Sequence, residues 1–338
     1  MKKYDAIVYI GRFQPVHNAH VEIMQRAAAI TDRIIVIVGS ANQPRTYKNP
    51  FTSEERKKLI VSATNLVSAT VYVEENMDTV YNNQAWAMRV QGIVSKYREY
   101  GSNIAIIGHK KDGSSDYLNF FPQWDLIDVP LIEPLDATSI RDLFFNRKVN
   151  MNFIQGVVPT STLKFLNEFR GTGEYEAIIK ERELIEEYKK PYNSLPYAPI
   201  FVTTDAIVIQ SAHVLMIKRK SSPGKGLWAL PGGFVNAATD KSIQDAAIRE
   251  LKEEAGIKVP VPVLIGSIKD IRVFDAIGRS SRGRTITHAF KIILPDGELP
   301  KVKGMDDAEK AKWIPIGELD SSLCFEDHYE IIQWAIGG

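Results

Sequence analysis

The sequence predicts an α/β protein of two domains, and three observations support this prediction. First, its 338 residues exceed the usual size of a single domain. Second, apolar runs in the first half alternate with segments of helical periodicity, a pattern typical of a mostly parallel sheet. These runs are apolar almost throughout, which indicates strands covered on both faces. Third, a proline-rich stretch separates this half from a second half with strands and a helix of its own.

The domain boundary is predicted at Pro191–Pro199, which has three prolines in nine residues. A stretch of this composition forms neither a helix nor a central strand, and it is typical of a semi-rigid linker. The predicted division is therefore a first domain at residues 1–185, a linker at 186–200 and a second domain at 201–338.

The first half contains five predicted strands with helices between and after them. The strands are residues 6–10, 32–39, 70–73, 104–107 and 126–129, and the helices are about residues 19–30, 53–64, 81–97, 161–169 and 174–190. Ser53 is the predicted N-cap of the second helix, because Glu54 and Glu55 follow it in the first turn. Arg56 after them either pairs with surface carboxylates or has a structural role near a site.

The composition predicts a soluble globular enzyme, since 25% of the residues are charged and 44% are hydrophobic. The net charge of +1 gives no reason to expect nucleic acid or an anionic membrane as a partner. Cys324 is the single cysteine, which excludes an internal disulfide and fits a reducing compartment. No apolar run reaches the length of a signal peptide core or a membrane span, so we expect a cytoplasmic protein. The oligomeric state stays open.

The first candidate site is the stretch from Gly11 to His20, between the first predicted strand and the helix that follows it. In a doubly wound sheet, such a junction borders the ligand crevice. The free N–H groups of the helix N-terminus suit a phosphate there. His17 and His20, three residues apart, share a helix face and can donate hydrogen bonds to charge developing on a phosphoryl group. A histidine pair of this spacing alone is also compatible with chance or half of a zinc site.

The residues Gly-Arg-Phe-Gln-Pro-Val-His-Asn-Ala-His of this stretch resemble the HxGH signature of the nucleotidyltransferase superfamily. Within it they are similar to the adenylyltransferases of nicotinamide mononucleotide (NMN). The resemblance implies a Rossmann-like domain that binds ATP and NMN, with Gly11, Arg12 and Phe13 in contact with the nucleotide. Ala19 stands where that family usually has glycine, which narrows the backbone's approach to the nucleotide but removes no donor.

A second stretch, from Asp136 to Arg141, resembles another signature of the same family. There the hydroxyl groups of Thr138 and Ser139, together with the guanidinium of Arg141, would hold the triphosphate. We expect Arg141 to begin a helix at residues 140–145, where the helix dipole also attracts an anion.

Three other residues of the first half are candidates for nucleotide contacts. Gly108 and Asp112 follow a predicted strand and could approach a ribose or a phosphate, although a solvated loop has the same composition. Trp86 is either a core residue or, as the resemblance implies, the aromatic residue on which the nicotinamide ring stacks.

The second half has predicted strands at residues 201–209 and 214–218 and a helix at about 242–255. Helical spacing places Glu250, Glu253 and Glu254 on one face. Three carboxylates repel one another unless a cation compensates them, and oxygen ligands suit Mg²⁺ or Mn²⁺. Arg249 lies one turn before Glu253 and can hold its carboxylate. The alternative is an ordinary acidic solvent-exposed face.

The Pro-Gly-Gly turn ending at Gly233 and the string from Arg249 to Ile257 resemble the Nudix box. The likeness extends from Thr203 onward and implies an α/β/α sandwich with a mixed sheet. It also implies catalysis by Glu253 and Glu254 with a bound metal, while Gly233 and Arg249 support the site. Two departures concern the local geometry. The segment between Gly233 and Arg249 is two residues longer than usual, and Lys241, beside Asp240, replaces a supporting glutamate.

The segment from Phe274 to Arg284 is similar to a loop of the ADP-ribose pyrophosphatases. That resemblance implies that Arg279, Arg282 and Arg284 bind a diphosphate, whereas the alternative is an exposed basic hairpin. The general base stays open. Its candidates are Asp307, Glu309 and the glutamates of the box.

The order of the two motif sets is similar to that of bifunctional NMN adenylyltransferase/Nudix hydrolases. The resemblance implies synthesis of NAD from ATP and NMN, and hydrolysis of ADP-ribose to AMP and ribose 5-phosphate. Two alternatives remain open. The first domain could use another phosphorylated acceptor, and the second could be a sensor that binds NAD metabolites without hydrolysing them.

Overall fold

The computed structural model describes residues 2–41, 43–65, 67–110, 113–130 and 136–337, with the backbone alone for 113–115. The chain divides into two compact units, Met1–Ile179 and Lys180–Gly338. This division falls within the charged helix predicted at residues 174–190. The domain limits at 185 and 201 and the linker at 186–200 therefore stay predictions.

The first unit is built on a five-stranded sheet in which every pair of neighbours is parallel. Its strands are β1 (Ala6–Gly11), β2 (Arg33–Val38), β3 (Thr70–Glu75), β4 (Ile104–Gly108) and β5 (Asp125–Asp128). Their order across the sheet is β3-β2-β1-β4-β5. Ile7 and Tyr9 of β1 belong to one hydrophobic core, and Val8 and Ile10 to another. Both faces of the sheet are thus covered, as the continuous apolar runs predict.

Helices flank this sheet or follow it in the chain, and the last of them contains the division between the two units. They are α1 (Asn18–Ile30), α2 (Ser53–Ala63), α3 (Asn83–Ser95), α4 (Ala137–Phe144), α5 (Asn152–Gln155), α6 (Thr160–Phe169) and α7 (Gly173–Lys189), with a 3-10 helix at Gly113–Phe120. The prediction that Ser53 caps α2 is wrong by one residue. Thr52 is the cap, because its hydroxyl accepts from the N–H of Glu55 at 3.3 Å while the Glu55 carboxylate accepts from the N–H of Thr52 at 2.8 Å. This reciprocal pair is a capping box, and Ser53 is the first helical residue.

The second unit is built on a mixed seven-stranded sheet. Its strands are β6 (Ile200–Gln210), β7 (His213–Arg219), β8 (Trp228–Ala229), β9 (Gly232–Phe234), β10 (Ile268–Phe274), β11 (Arg284–Ile293) and β12 (Ala308–Pro315). Five strands follow the order β10-β11-β6-β7-β12, while β8 pairs with β7 and β9 with β6. The pair β11–β6 is parallel and the other pairs are antiparallel.

The helices of this unit are α8 (Ile243–Ala255), α9 (Val261–Gly266) and α10 (His328–Gly337). Ala247, Leu251 and Ala255 of α8 are buried in the core against the sheet. Ser242 caps the helix, and Gly256 ends it with a φ of +52°, a left-handed conformation that favours glycine. The apolar face of α8 is thus buried against the sheet. Glu250 and Glu254, on the neighbouring face, lie against the first residues of β9. Within the described ranges, no helix combines the length and the hydropathy needed to cross a membrane.

Candidate active sites

His17 and His20 lie together where β1 ends and α1 begins. The N–H of His17 donates to Nδ1 of His20 at 3.2 Å, which assigns the hydrogen of the neutral His20 ring to Nε2. The two rings are 3.7 Å apart between centroids. Burial lowers the pKa of His17 to about 4 and that of His20 well below its ordinary value. At neutral pH, both rings are therefore uncharged, and each carries one N–H that can donate a hydrogen bond.

Gly11 and Phe13 shape this histidine pair. Phe13 is 1% exposed, has a φ of +52° and lies 4.7 Å from the ring of His20 between centroids. A Cβ added to Gly11 would lie 3.0 Å from the Phe13 ring, so the glycine makes room for that ring. Direct nucleotide contact by the Phe13 side chain is not supported, because the ring is fully packed under His20. Its position instead fixes the orientation of the histidine.

Arg12 lies close enough to two other cationic side chains, Lys48 and Arg141, to lower their pKa values. Burial and then the charge of Arg12 lower the pKa of Arg141 to about 10. Desolvation of the Lys48 amino group, and less strongly the charge of Arg12, lower the pKa of Lys48, although the residue as a whole is exposed. Cations held near one another favour an anion between them. The sequence gives no motif signal for Lys48, a single lysine in a loop, and only the fold brings it here.

Arg141 lies in the middle of α4, so the prediction that it begins a helix is wrong. The true cap is Asp136, whose carboxylate accepts from the N–H and the hydroxyl of Ser139 at 2.9 and 3.1 Å. The Arg141 side chain runs back toward the helix N-terminus, where it donates to the carbonyl of Gln14 at 2.8 Å and to the hydroxyl of Thr138 at 3.1 Å. Helix α4 thereby ties the second signature to the first.

Arg56 has the structural role near the site that the sequence left open. It is 1% exposed and donates to the carbonyl oxygens of Arg12, Gly39 and Ser40 at 2.8, 2.7 and 3.0 Å. It thus connects α2 to the chain segments that leave β1 and β2. The alternative of a surface pair with carboxylates is wrong.

The three remaining candidates of the first unit have different outcomes. The half-buried ring of Trp86 packs edge-on against Tyr117, 5.8 Å away between centroids, which supports a core role for part of the ring. A Cβ on Gly108 would lie 3.0 Å from the Leu118 side chain. The glycine therefore makes room for this leucine, and close approach of a ligand is not needed to explain it. Asp112 lies outside the described residues.

The second candidate site is a cavity of about 470 Å³ beside α8 and β9. Its charged lining includes five carboxylates, Glu250, Glu253, Glu254, Asp306 and Asp307, and three guanidinium groups, Arg219, Arg249 and Arg282. Carboxylates suit a divalent cation, and arginines suit a phosphate. The cavity thus offers ligands for both a metal and an anion.

Glu254 is the most buried of the three box glutamates, at 6% exposure. Its Oε2 accepts from the N–H of Gly232 at 2.8 Å. Burial, and less strongly the nearby carboxylate of Glu250, raises the pKa of Glu254 to about 8. A bound cation would offset both effects, so this carboxylate fits a metal ligand.

Arg249 organises carboxylates of the cavity lining. It donates to Glu250 at 2.8 Å and to Glu253 at 2.9 Å, and both its Nε and Nη2 bind the carboxylate of Asp240 at 2.8 Å. Asp240 therefore provides the support that Lys241 cannot. The sequence shows Asp240 next to Lys241. Because the segment before Arg249 is longer than usual, the sequence alone does not show which of these two side chains faces Arg249.

Gly233 allows the carboxylate of Glu250 to lie against the turn, since a Cβ there would be 2.6 Å from Glu250 Oε1.

Across the described ranges, no three acidic, histidine or cysteine side chains surround one point closely enough to hold a metal ion. The carboxylates of Glu250 and Glu253 are directed at Arg249 instead. The oxygen-only donor set fits Mg²⁺ or Mn²⁺. The Glu253 side chain is 46% exposed and would have to leave Arg249 to bind a metal.

The three arginines predicted to bind a diphosphate, two in the loop between β10 and β11 and one at the start of β11, have different partners. Arg279 is buried and binds the carboxylate of Asp327 through two hydrogen bonds of 2.8 Å. The prediction that it binds a diphosphate is not supported, because its guanidinium is committed to this pair. Arg284 bonds to the carbonyl of Asp275 on the loop. Arg282 lines the cavity.

Arg219, which the sequence analysis missed, joins Arg282 in the cavity lining. Its guanidinium lies 4.1 Å from the ring centroid of Phe325, and that of Arg282 lies 5.0 Å from the ring of Phe234. These rings hold the two cations in place. Asp307 also lines the cavity, whereas Glu309 pairs with Lys218 at 3.8 Å. The geometry therefore favours Asp307 over Glu309 as a general base.

Comparison with known proteins places both sites in families. The cytidylyltransferase-like family matches residues 8–155, and the NUDIX domain family matches residues 199–335. The chain is similar to the crystal structure of a bifunctional NMN adenylyltransferase/ADP ribose pyrophosphatase from Francisella tularensis, complexed with AMP and an Mn ion. The TM-score is 0.90 at 35% identity, and the match covers 99% of both chains. This chain belongs to the bifunctional NMN adenylyltransferase/ADP-ribose pyrophosphatase family.

Each half of this family member also resembles a separate protein. A nicotinamide/nicotinic acid mononucleotide adenylyltransferase of Acinetobacter baylyi is 36% identical over 179 residues, which are 53% of this chain and 93% of the relative. An ADP-ribose pyrophosphatase of Methanocaldococcus jannaschii is 36% identical over 156 residues, which are 46% of this chain and 80% of the relative. The predicted fold class, a Rossmann-like domain with a parallel sheet and a Nudix domain with a mixed sheet, is confirmed.

Proposed function

We infer that this chain is a bifunctional enzyme of NAD metabolism. The first unit transfers the adenylyl group of ATP to NMN, giving NAD and pyrophosphate, and the second hydrolyses ADP-ribose to AMP and ribose 5-phosphate. The observation that carries this proposal is the match to a bifunctional relative over 99% of both chains. Because the single cysteine and the composition fit a reducing compartment, we propose that both reactions occur in the cytoplasm.

In the first unit, the 5′-phosphate of NMN attacks the α-phosphorus of ATP in line, and pyrophosphate leaves. Such a transfer needs positioning and charge stabilisation but no protein nucleophile. Nε2–H of His20 and the ring of His17 donate hydrogen bonds to the charge that develops on the transferred phosphoryl group. Arg12, Lys48 and Arg141 hold the phosphates of ATP. The charge of Arg12, which lowers the pKa values of Lys48 and Arg141, supports this role.

In the second unit, we propose that Glu250, Glu253 and Glu254 hold Mg²⁺, for which Mn²⁺ can substitute. A divalent metal at this place supplies a Lewis acid and lowers the pKa of a water molecule. Arg219 and Arg282, which line the same cavity, bind the diphosphate of ADP-ribose. We propose Asp307, which lines the cavity, as the group that accepts the proton of the attacking water. The proposal includes no nucleic acid partner and no membrane partner, in line with the balanced net charge.

Both activities are tested by product analysis. The protein is incubated with ATP, NMN and Mg²⁺, and separately with ADP-ribose and Mg²⁺, and the products are separated by chromatography. We expect NAD in the first mixture, and AMP with ribose 5-phosphate in the second. Two other outcomes would reassign the acceptor. One is a dinucleotide product with nicotinate mononucleotide but none with NMN, and the other is transfer to pantetheine phosphate. A thermal shift with ADP-ribose without turnover would make the second unit a sensor.

Trp86 provides a test of nicotinamide recognition. If its half-buried ring stacks on nicotinamide, Trp86→Ala raises KM for NMN by roughly tenfold, the loss of about one stacking contact, with little change in KM for ATP. The control is Trp86→Phe, which keeps an aromatic face and its packing on Tyr117. A lower melting temperature with both KM values unchanged would leave Trp86 with a core role alone.

A further inference from the structure

The backbone that precedes and begins β9 is held by three different elements. The N–H of Leu230 donates to Nδ1 of His328 at 2.9 Å. The carbonyl of Pro231 accepts from the N–H of Ala206 at 2.8 Å. The N–H of Gly232 donates to the carboxylate of Glu254 at 2.8 Å. Three successive residues therefore contact α10, β6 and α8 in turn. Any shift of this turn changes the direction of the one N–H that binds Glu254.

The turn has no space to shift toward β6. A Cβ added to Gly232 would lie 2.1 Å from the carbonyl oxygen of Thr204 and 2.7 Å from Oδ1 of Asp205. The glycine is thus packed directly on the strand, and only a residue without a side chain fits there. Contact with β6 limits the turn from one side, so its exact position depends on the groups that hold the other side.

His328 is one of those groups, although it is 98 residues from Leu230. The residue is 6% exposed, and its ring accepts through Nδ1, which assigns the ring hydrogen to Nε2. Nε2 lies 3.9 Å from Oδ1 of Asp205, and the other oxygen of Asp205 accepts from the Thr287 hydroxyl at 2.6 Å. Burial lowers the pKa of His328 to about 3. The ring thus remains a neutral acceptor for Leu230 at neutral pH.

We propose that His328 is a positioning residue for the hydrolytic site. By holding the N–H of Leu230, it sets the position of the turn, and the N–H of Gly232 then orients the Glu254 carboxylate toward the cavity. His328 does not line the cavity itself, so it acts through the backbone rather than on the substrate. This inference rests on the proposed hydrolysis of ADP-ribose by the second unit and adds the residue that fixes its buried carboxylate.

Two substitutions separate the acceptor from the shape of the ring. In His328→Asn, the side-chain oxygen stands as many bonds from the backbone as Nδ1 and keeps an acceptor for Leu230. In His328→Leu, an apolar group of similar size removes that acceptor. Groups that orient a metal ligand change metal affinity or activity by roughly 10- to 100-fold when they are removed. The leucine variant should therefore lose at least about tenfold in kcat for ADP-ribose, with KM nearly unchanged, and the asparagine variant should recover most of the loss.

The affinity for Mn²⁺ is a second readout that needs no turnover. Titration of the full-length protein with Mn²⁺, followed by the electron paramagnetic resonance signal of the free ion, should show weaker binding for His328→Leu than for His328→Asn. NAD synthesis should be the same in both variants. If wild-type protein does not hydrolyse ADP-ribose, the proposed function fails, and the Mn²⁺ affinities alone decide the positioning role.

A purely structural role predicts a different result. Both variants would then have lower melting temperatures, while kcat and Mn²⁺ affinity measured well below those temperatures would match wild type, and the proposal would be overturned. Equal losses in the asparagine and leucine variants would also overturn it. If His328→Leu does not fold, Thr287→Val takes its place, since it removes the hydroxyl that holds Asp205 behind the ring. A smaller loss of Mn²⁺ affinity in this variant supports the proposal, and wild-type affinity contradicts it.

Discussion

His20→Ala is expected to slow NAD synthesis by roughly 10²–10³-fold, the usual effect of removing one preorganised donor to transition-state charge. Nδ1 of this ring is occupied by the N–H of His17, so Nε2–H is the group available to the phosphoryl oxygens. Phe13 packs against the ring and fixes its direction. Because burial keeps His20 neutral at pH 7, the variant loses a hydrogen bond and no net charge. Binding of ATP should weaken much less than turnover, since the arginines and Lys48 remain.

The matched control for this prediction is His20→Asn, measured by steady-state rates with ATP and NMN. Asparagine keeps an acceptor for the N–H of His17 but has no donor at the position of Nε2. It should be as slow as the alanine variant if donation to phosphate is the role of His20. If the His20→Asn variant were nearly as active as wild type, the ring would serve only to accept from the N–H of His17 at the start of α1. Hydrolysis of ADP-ribose in the same preparations should be unchanged.

Features of the fold that depend on local sequence were predictable. The strand β1 is apolar at every position from Ala6 to Ile10, and burial on both faces follows from that run alone. The end of α8 at Gly256 and its cap at Ser242 follow from the same kind of local chemistry. The cap of α2 was misplaced by one residue because Thr52 and Ser53 are equally good caps. Only the reciprocal bond to Glu55 decides between them.

Features of the sites that depend on distant contacts were not predictable. Arg279 and Arg282 are three residues apart in one loop, yet the first is buried against Asp327 and the second lines the cavity. Sequence spacing cannot show this difference, because the partner of Arg279 lies 48 residues away. Arg219 stands at the end of a strand with no motif around it. Its role depends on the ring of Phe325, which the fold brings beneath it.

Glu254→Gln is expected to reduce hydrolysis of ADP-ribose by at least about 100-fold, since removal of groups that merely orient metal ligands already costs roughly 10- to 100-fold. The substitution keeps the size of the side chain and an oxygen that can accept from Gly232, but it removes the negative charge that a divalent cation requires. NAD synthesis should be unchanged, because the residues proposed to hold the phosphates of ATP belong to the first unit. Both reactions are measured on one preparation. The matched control is Glu318→Gln, the same change at an exposed position of the second unit.

The difference in stability between metal-free wild type and Glu254→Gln should also depend on pH in a defined direction. Burial raises the pKa of Glu254 from 4.5 to about 8 in the folded protein. Between these two values the folded protein retains a proton that the unfolded chain has lost, so stability falls as the pH rises. Glutamine cannot ionise and avoids this loss. In the presence of a chelator, the variant should melt at a higher temperature than wild type at pH 8, and the difference should shrink toward pH 5. A variant that melts lower at pH 8, or that loses both activities equally, would contradict a separate, metal-binding role for this buried carboxylate.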